Sequence, residues 1–232
     1  MKKLVYILMM LAVVACGNGN NGSDNGNGNS SKGSLRVAVI PVEECLPLLV
    51  AEKLGLLDST EADVRLMRYR ALSECQEAMK KHEVDAMPND SAIGFKVLTS
   101  KKARIHRLSQ LSDKVIATDK VGYAYNLAKA SIDSLLKQDR HVFIIQVNDI
   151  DVRTKMLTTS NVDAALLPEP NATEAIKQGA YEIKLPKEIT GNAGLAHSLL
   201  TKSTPKLDES LKTALDSIKQ YGKENYYYLL DY

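Results

Sequence analysis

The side chains able to do chemistry in this sequence are few and scattered. The four histidines, His82, His106, His141 and His197, include no pair at the spacing by which one helix face presents two imidazoles to a metal ion. There is no Gly-x-Ser-x-Gly elbow to expose a serine nucleophile, no Gly-Lys-Ser/Thr loop to cradle a phosphate, and no dinucleotide glycine pattern. Each histidine therefore reads as a surface or satisfied core residue. Cys45 and Cys75 leave two readings open: a disulfide, which an exported protein can form, or buried free thiols beside apolar neighbours. With no nucleophile paired to a base, the expectation is a protein that is not an enzyme and needs no cofactor or metal.

Cys16 carries a different chemistry. Lys2 and Lys3 precede an apolar run, Leu4 to Ala15, that is too short to cross a bilayer as a helix. The run ends Val13-Val14-Ala15-Cys16, which resembles a bacterial lipobox. Residues 1–15 are then a lipoprotein signal peptide and Cys16 is the acylated mature N-terminus. The alternative is an ordinary apolar helix with an incidental cysteine. Palmitate-type chains contribute roughly 0.8 kcal/mol per buried CH₂, so several on one cysteine hold a protein on a lipid surface. Residues 16–34, nearly all Gly, Asn and Ser after Cys16, can bury no apolar area and read as a flexible tether. Its typical span is about 25 Å. The expected location is a bacterial membrane, lipid-anchored, with the body facing the periplasm or the cell exterior; inner and outer membrane both stay open.

The remaining body has to position whatever site exists. The chain has 232 residues, 44% hydrophobic and 25% charged, the balance of a globular protein. Once Lys2 and Lys3 are set aside from the 30 basic side chains, the remaining 28 equal the 28 acidic ones, which argues against a nucleic-acid partner. With no Trp and two Phe, an aromatic cage is not expected. Strand patterns at Leu35–Ile40, Val64–Tyr69, Val84–Met87, Ile105–Leu108, Lys114–Thr118, Val142–Val147, Ala164–Leu167 and Leu195–Leu200 alternate with helical ones. The helices are predicted at Leu46–Leu57, Ser73–His82 (opened by a capping box at Ser73), Ser91–Thr99, Tyr123–Leu136, Val152–Thr158, Ala172–Gln178 and Leu207–Tyr221. This alternation points to an α/β fold with mostly parallel sheets.

A family resemblance enters in the second half. Gln146-Val147-Asn148-Asp149, Arg153 and Met156-Leu157 lead into Asn161-Val162-Asp163-Ala164-Ala165-Leu166-Leu167-Pro168-Glu169-Pro170-Asn171-Ala172-Thr173. This resembles the second lobe of solute-binding proteins of ABC importers, in the branch that binds nitrate, sulfonates and thiamine-precursor pyrimidines. LRVAVIPVEECLPLLVAEKLGLL (35–57) is similar to that family's first strand, loop and helix, and Glu83–Asp90 to its third strand and loop.

The resemblance implies a two-lobed type 2 periplasmic binding protein fold with a hinge. Lobe one would comprise 35–115 with 193–232 returning to it, and lobe two 116–192. A small polar ligand would sit between them, at strand carboxyl ends, where open α/β sheets bind ligands. Hinge closure would then enclose it. The cleft loops carried over are Pro41, Glu43, Glu44 and Cys45; Asn89, Asp90 and Ser91; and Lys120, Tyr123, Asn148, Glu169, Asn171 and Asn192. Several have plainer readings: Glu43 and Glu44 as complements to a helix N-terminus, Asn89, Asp90, Ser91 and Asn171 as caps, Lys120 as a solvated loop charge. The implied partners are a small-molecule ligand, an ABC permease and the membrane, with the protein a monomer. Two other classes stay open: a small-molecule lyase or synthase on the same fold, and a structural lipoprotein that has lost its ligand.

Overall fold

Strand β1 (Leu35–Val39) lies parallel to β3 (Ala62–Arg68), in register from Leu35 opposite Val64 to Val39 opposite Arg68. The two-residue β2 (Asp58–Ser59) runs antiparallel on the far side of β3. On the other edge of β1 the expected strand at Val84–Met87 is reduced to one parallel bridge, Val37 to Ala86, pinned by Arg36. The guanidinium grips Asp85 through Nε and Nη2, both at 3.0 Å, and the Arg36 N–H donates to the same carboxylate at 2.9 Å. This computed structural model describes residues 34–59, 62–135, 141–185 and 200–232. Cys16, the signal segment, nearly all of the tether and Asn192 lie outside them, as does the expected strand at Leu195–Leu200 except Leu200, which bridges Pro88.

Helix α1 (Leu46–Lys53) starts with Pro47 in its first turn, where the missing N–H costs nothing, and its first six residues are all buried. It packs against α6 (Pro205–Tyr221) and a closing 3-10 segment, Lys223–Leu230. Helix α2 (Leu72–Lys80) begins one residue before the expected Ser73. Its N-cap is Ala71, and Glu74 reaches back to accept the Ala71 N–H at 3.2 Å and the Arg70 N–H at 2.7 Å. Cys45 and Cys75 are both free and buried in this first core.

The second sheet has the order β6-β5-β7-β4-β8. Strands β5 (Val115–Thr118), β6 (Phe143–Gln146), β7 (Ala164–Leu167) and β8 (Tyr181–Ile183) run one way, and β4 (Lys96–Thr99) runs against them. Ala164 and Leu166 of β7 face one apolar cluster, Ala165 and Leu167 the other, as a two-residue period requires. Both faces are covered, which is why AALL is buried throughout. Helix α3 (Gly122–Leu135) covers the first face; α4 (Ile150–Thr158) and α5 (Asn171–Lys177) cover the second.

Two expectations fail here for one reason. Ser91–Thr99 is not a helix: a 3-10 turn at Asp90–Ala92 leads into β4. The apolar spacing of Ile93 and Val97 suits a helix, but pairing with β7 on one side and β8 on the other outweighs local preference. Because β4 lies inside the second sheet, the expected boundary at 115 is also displaced, with the chain entering that sheet at Lys96. Ile105–Leu108 forms no strand and is followed by a 3-10 turn at Leu108–Leu111. Among the described residues, no helix is long and apolar enough to cross a membrane.

Candidate ligand-binding site

The carboxyl ends of β1, β5 and β6 open onto one cavity. From the first sheet's side it is lined by Ile40, just beyond β1, Leu72 at the start of α2, and Asp90; Phe95 stands at the entry to β4. The second sheet's side supplies Thr118, Asp119, Val121 and Tyr123 after β5, Asn148 after β6, and Ile150 and Arg153 on α4. The cavity holds about 20 Å³, room for roughly one water.

Its polar groups are buried and incompletely paired. Arg153 is 1% exposed. Its Nη1 donates to the Val147 carbonyl at 2.9 Å, whereas Nε has no partner. Burial lowers its pKa to about 10, with Asp119 and Asp149 opposing that shift. Asp119 is 8% exposed; Oδ2 accepts the Ser73 N–H at 3.3 Å, and Oδ1 is buried without a partner. Burial pushes its carboxyl above the ordinary range, against the pull of Ser73 and Arg153. Asn148 Oδ1 is likewise buried and unpartnered. Stranding such atoms costs about 1–3 kcal/mol each, and more for charged groups.

The expected site residues divide into groups. Asp90, Tyr123 and Asn148 line the cavity. Glu43, Glu44 and Glu169 do not: they form a neighbouring charged cluster. The Glu43 carboxylate accepts Lys223 Nζ at 2.8 and 3.0 Å and the Tyr227 hydroxyl at 2.7 Å. Glu44 Oε1 accepts the Gly94 N–H at 2.7 Å, while burial pushes its carboxyl up and leaves Oε2 without a partner. Glu43 and Glu44 edge an open groove of about 370 Å³ between α1 and α6, walled by Leu46, Pro47, Leu211, Leu215 and Ile218. Glu169 follows β7, and its peptide bond to Pro170 is cis. Its Oε1 takes Lys96 Nζ at 2.6 Å and its Oε2 the Thr173 N–H at 3.0 Å. Burial alone would raise this carboxyl, but Lys96 and Thr173 hold it below the usual range.

The others have local roles. Asn89 caps the 3-10 turn, accepting from the N–H of Ser91 at 3.3 Å and its hydroxyl at 2.9 Å. Asn171 donates to Asp151 at 3.1 Å, Lys120 is exposed, and Pro41 and Cys45 are buried. Sequence reasoning did not single out Asp119 and Arg153, which line the cavity. For Arg153 a signal existed: Ile150, Arg153, Thr154 and Leu157 form the buried stripe of α4, so a charge stands at a core-facing position.

Polar contacts join the two halves around the cavity. Besides Ser73 to Asp119, the Glu43 N–H donates to the Glu169 carbonyl at 2.9 Å, and Arg70 Nη1 pairs with Asp151 at 2.9 Å. At the same junction Gly122 has φ +84°, and a Cβ there would stand 2.8 Å from Leu72 Cδ2 and 3.4 Å from Asp90 Cβ. Among the described residues, no group of His, Cys, Asp and Glu could hold a metal ion.

No protein-family model matches the chain, and no curated protein matches it in sequence. Solved structures do match in fold. The alkanesulfonate-binding protein from Xanthomonas axonopodis pv. citri, bound to MOPS, is 15% identical over 84% of this chain and 78% of its own, with a TM-score of 0.64. The periplasmic aliphatic sulphonate-binding protein from Escherichia coli is 17% identical over 85% and 77%, with a TM-score of 0.60. An amino acid ABC transporter substrate-binding protein from Streptococcus pneumoniae, bound to L-arginine, is 14% identical over 84% and 92%, with a TM-score of 0.54. The chain thus has the two-lobed periplasmic binding protein fold, α/β with its strands mostly parallel.

Proposed function

We propose that this protein is the membrane-anchored solute-binding component of an ABC importer, capturing a small polar molecule between its lobes and presenting it to a permease. One observation carries the reading. Asp119 Oδ1, Asn148 Oδ1 and Arg153 Nε are buried without partners around a single cavity at the strand carboxyl ends. Open α/β sheets bind ligands there, and unpaired buried polar atoms are costly unless something else pairs them. The contact residues are Asp90, Asp119, Tyr123, Asn148 and Arg153. Hinge opening admits the solute, since the closed cavity holds only about one water. The sulfonate and amino acid binders with the same fold support a binding role over a catalytic one.

Anchoring rests on the Lys2–Cys16 segment, with the acylated Cys16 holding a monomeric body outside the cytoplasm. Native mass spectrometry of gently purified protein tests the binding function, and a stoichiometric small molecule released on unfolding is the expected result. Cys16→Ser tests the anchor: fatty-acylated protein recovered from that variant would refute it. The small closed cavity favours one second reading, a structural lipoprotein on a fold that has lost its ligand. That reading expects no released molecule and an unshifted Tm across a broad metabolite panel.

A further inference from the structure

Residues 91–112 contain no Asp or Glu, yet carry Lys96, Lys101, Lys102, Arg104, His106 and Arg107. Lys96 pairs with Glu169; the others gather at the end of the second sheet opposite the cavity. Because β4 runs against β7 and β8, it ends at Thr99 beside Ala164 and Tyr181, where those strands begin. The chain then crosses this end to Lys114 and the start of β5, next to Phe143 at the start of β6.

The crossing is held in shape from inside. Buried Thr99 donates through Oγ1 to the carbonyl of buried Ile105 at 2.7 Å, and Gln110 Oε1 accepts the His106 and Arg107 N–H groups at 2.9 and 3.0 Å. Lys101, Lys102, Arg104 and Arg107 are exposed, and among the described residues none of them is in an ion pair within 4.0 Å. The acids at this end are engaged elsewhere. Asp163 accepts the Val115 N–H at 3.0 Å, Asp113 the Ser112 hydroxyl at 3.3 Å, and Glu182 takes Lys184 Nζ at 2.7 Å. Two large rings flank the cations: Tyr181, 43% exposed and edge-on to His106 at 4.8 Å, and Phe143, 56% exposed.

Resting on the anchored reading, we infer that this end of the second sheet docks on the anionic phospholipid headgroups of the membrane that holds Cys16. A tether of residues 16–34 leaves open which face of the body meets lipid. Charge complementarity selects this one, since uncompensated cations on a fixed turn are drawn to an anionic surface. The rings beside them fit the same partner, Tyr181 at the headgroup layer and Phe143 at the acyl boundary. A nucleic acid calls for a basic excess over the domain, which this body lacks. Docked in this way, the cavity at the strand carboxyl ends faces away from the bilayer, a pose for capturing solute that must be released before delivery.

Amide hydrogen exchange of the full-length protein in nanodiscs tests this, with its acylation read by mass spectrometry. One set of discs holds phosphatidylethanolamine and phosphatidylglycerol, the other phosphatidylcholine alone. Exchange across residues 100–107 is expected to slow about threefold or more on the anionic lipid only. Salt at about 0.5 M should abolish the difference. K101Q/K102Q/R104Q/R107Q should abolish it too, with β7 exchanging as in the wild type; the salt comparison decides the matter even where that variant fails to fold. Equal exchange on the two lipids, or a difference that survives the salt, overturns the assignment while the anchor survives. Slowing by a short DNA duplex in phosphatidylcholine discs, with none from the anionic lipid, gives the patch to nucleic acid and also overturns it. Slowing on the anionic lipid in a protein found unacylated removes the anchor and keeps the surface. No retention on either lipid overturns both.

Discussion

Lys96 Nζ and Glu169 Oε1 stand 2.6 Å apart, joining the first residue of β4 to the turn that follows its antiparallel neighbour β7. The second carboxylate oxygen is held by the Thr173 N–H in the first turn of α5, so both Glu169 oxygens are engaged without a ligand. Glu169→Gln keeps the shape and removes the charge. The expected result is a stability loss of about 1 kcal/mol, a Tm lower by roughly 2–4 °C, and ligand affinity changed less than about threefold. Unchanged melting with affinity down tenfold or more would instead make Glu169 a ligand contact.

The Arg36–Asp85 pair gives a pH signature. Asp85 is held at about 2 by hydrogen bonds from the Arg36 guanidinium and backbone N–H. Its folded pKa lies below the unfolded value of about 3.9, so its contribution is present above that value and disappears as pH falls toward 2. The carboxylate is 32% exposed and the guanidinium 38%, so water screening keeps the contribution of the pair small. Asp85→Asn should therefore be less stable than the wild type at pH 7, with the gap closing in denaturant titrations between pH 4 and pH 2. A gap independent of pH would show that the charge is not the source.

Gly122 serves the junction between the halves. Its φ of +84° suits glycine, and any Cβ would press into Leu72. Gly122→Ala should lower stability by about 1 kcal/mol or more and loosen the contacts around the cavity. Hydrogen exchange should then rise at the Ser73 amide, which donates to Asp119 across the junction. Faster exchange spread evenly through the protein would point to backbone strain alone.

Burial raises the pKa of the Cys45 and Cys75 thiols, to about 12 for Cys45, so neither presents a thiolate near neutrality. Iodoacetamide at pH 8 should label neither Cys45 nor Cys75 in the folded protein and both in denaturant. Labelling of either under native conditions within minutes would contradict this packing.

What the sequence made legible follows the strength of local pattern. Ala164–Leu167 was readable to the residue, because Pro168 and Pro170 close an apolar run that only a doubly covered strand accommodates. Helices α3 and α6 follow uninterrupted amphipathic stretches, and Thr204 caps α6 by accepting the Leu207 N–H. Strand β4 was not readable, since its identity depends on β7 and β8, and the three-residue β8 carries too little pattern to register. The site divided similarly. Asp90, Tyr123 and Asn148, which line the cavity, were named through the family resemblance. Asp119 and Arg153 were passed over because a charged residue ordinarily faces water, and only the packed structure reveals that these two do not.

The position of β4 also governs how this protein is made. Its pairing partners, Leu167 and Ile183 among them, are synthesised long after Lys96–Thr99 leaves the ribosome. Until they arrive, Val97 and Leu98 belong to an apolar segment with two unpaired edges, the kind that seeds intermolecular pairing. A polypeptide truncated before β7 should therefore associate rather than settle into a half-molecule. Completion of the second sheet is a late event, because β4 joins it only through β7 and β8.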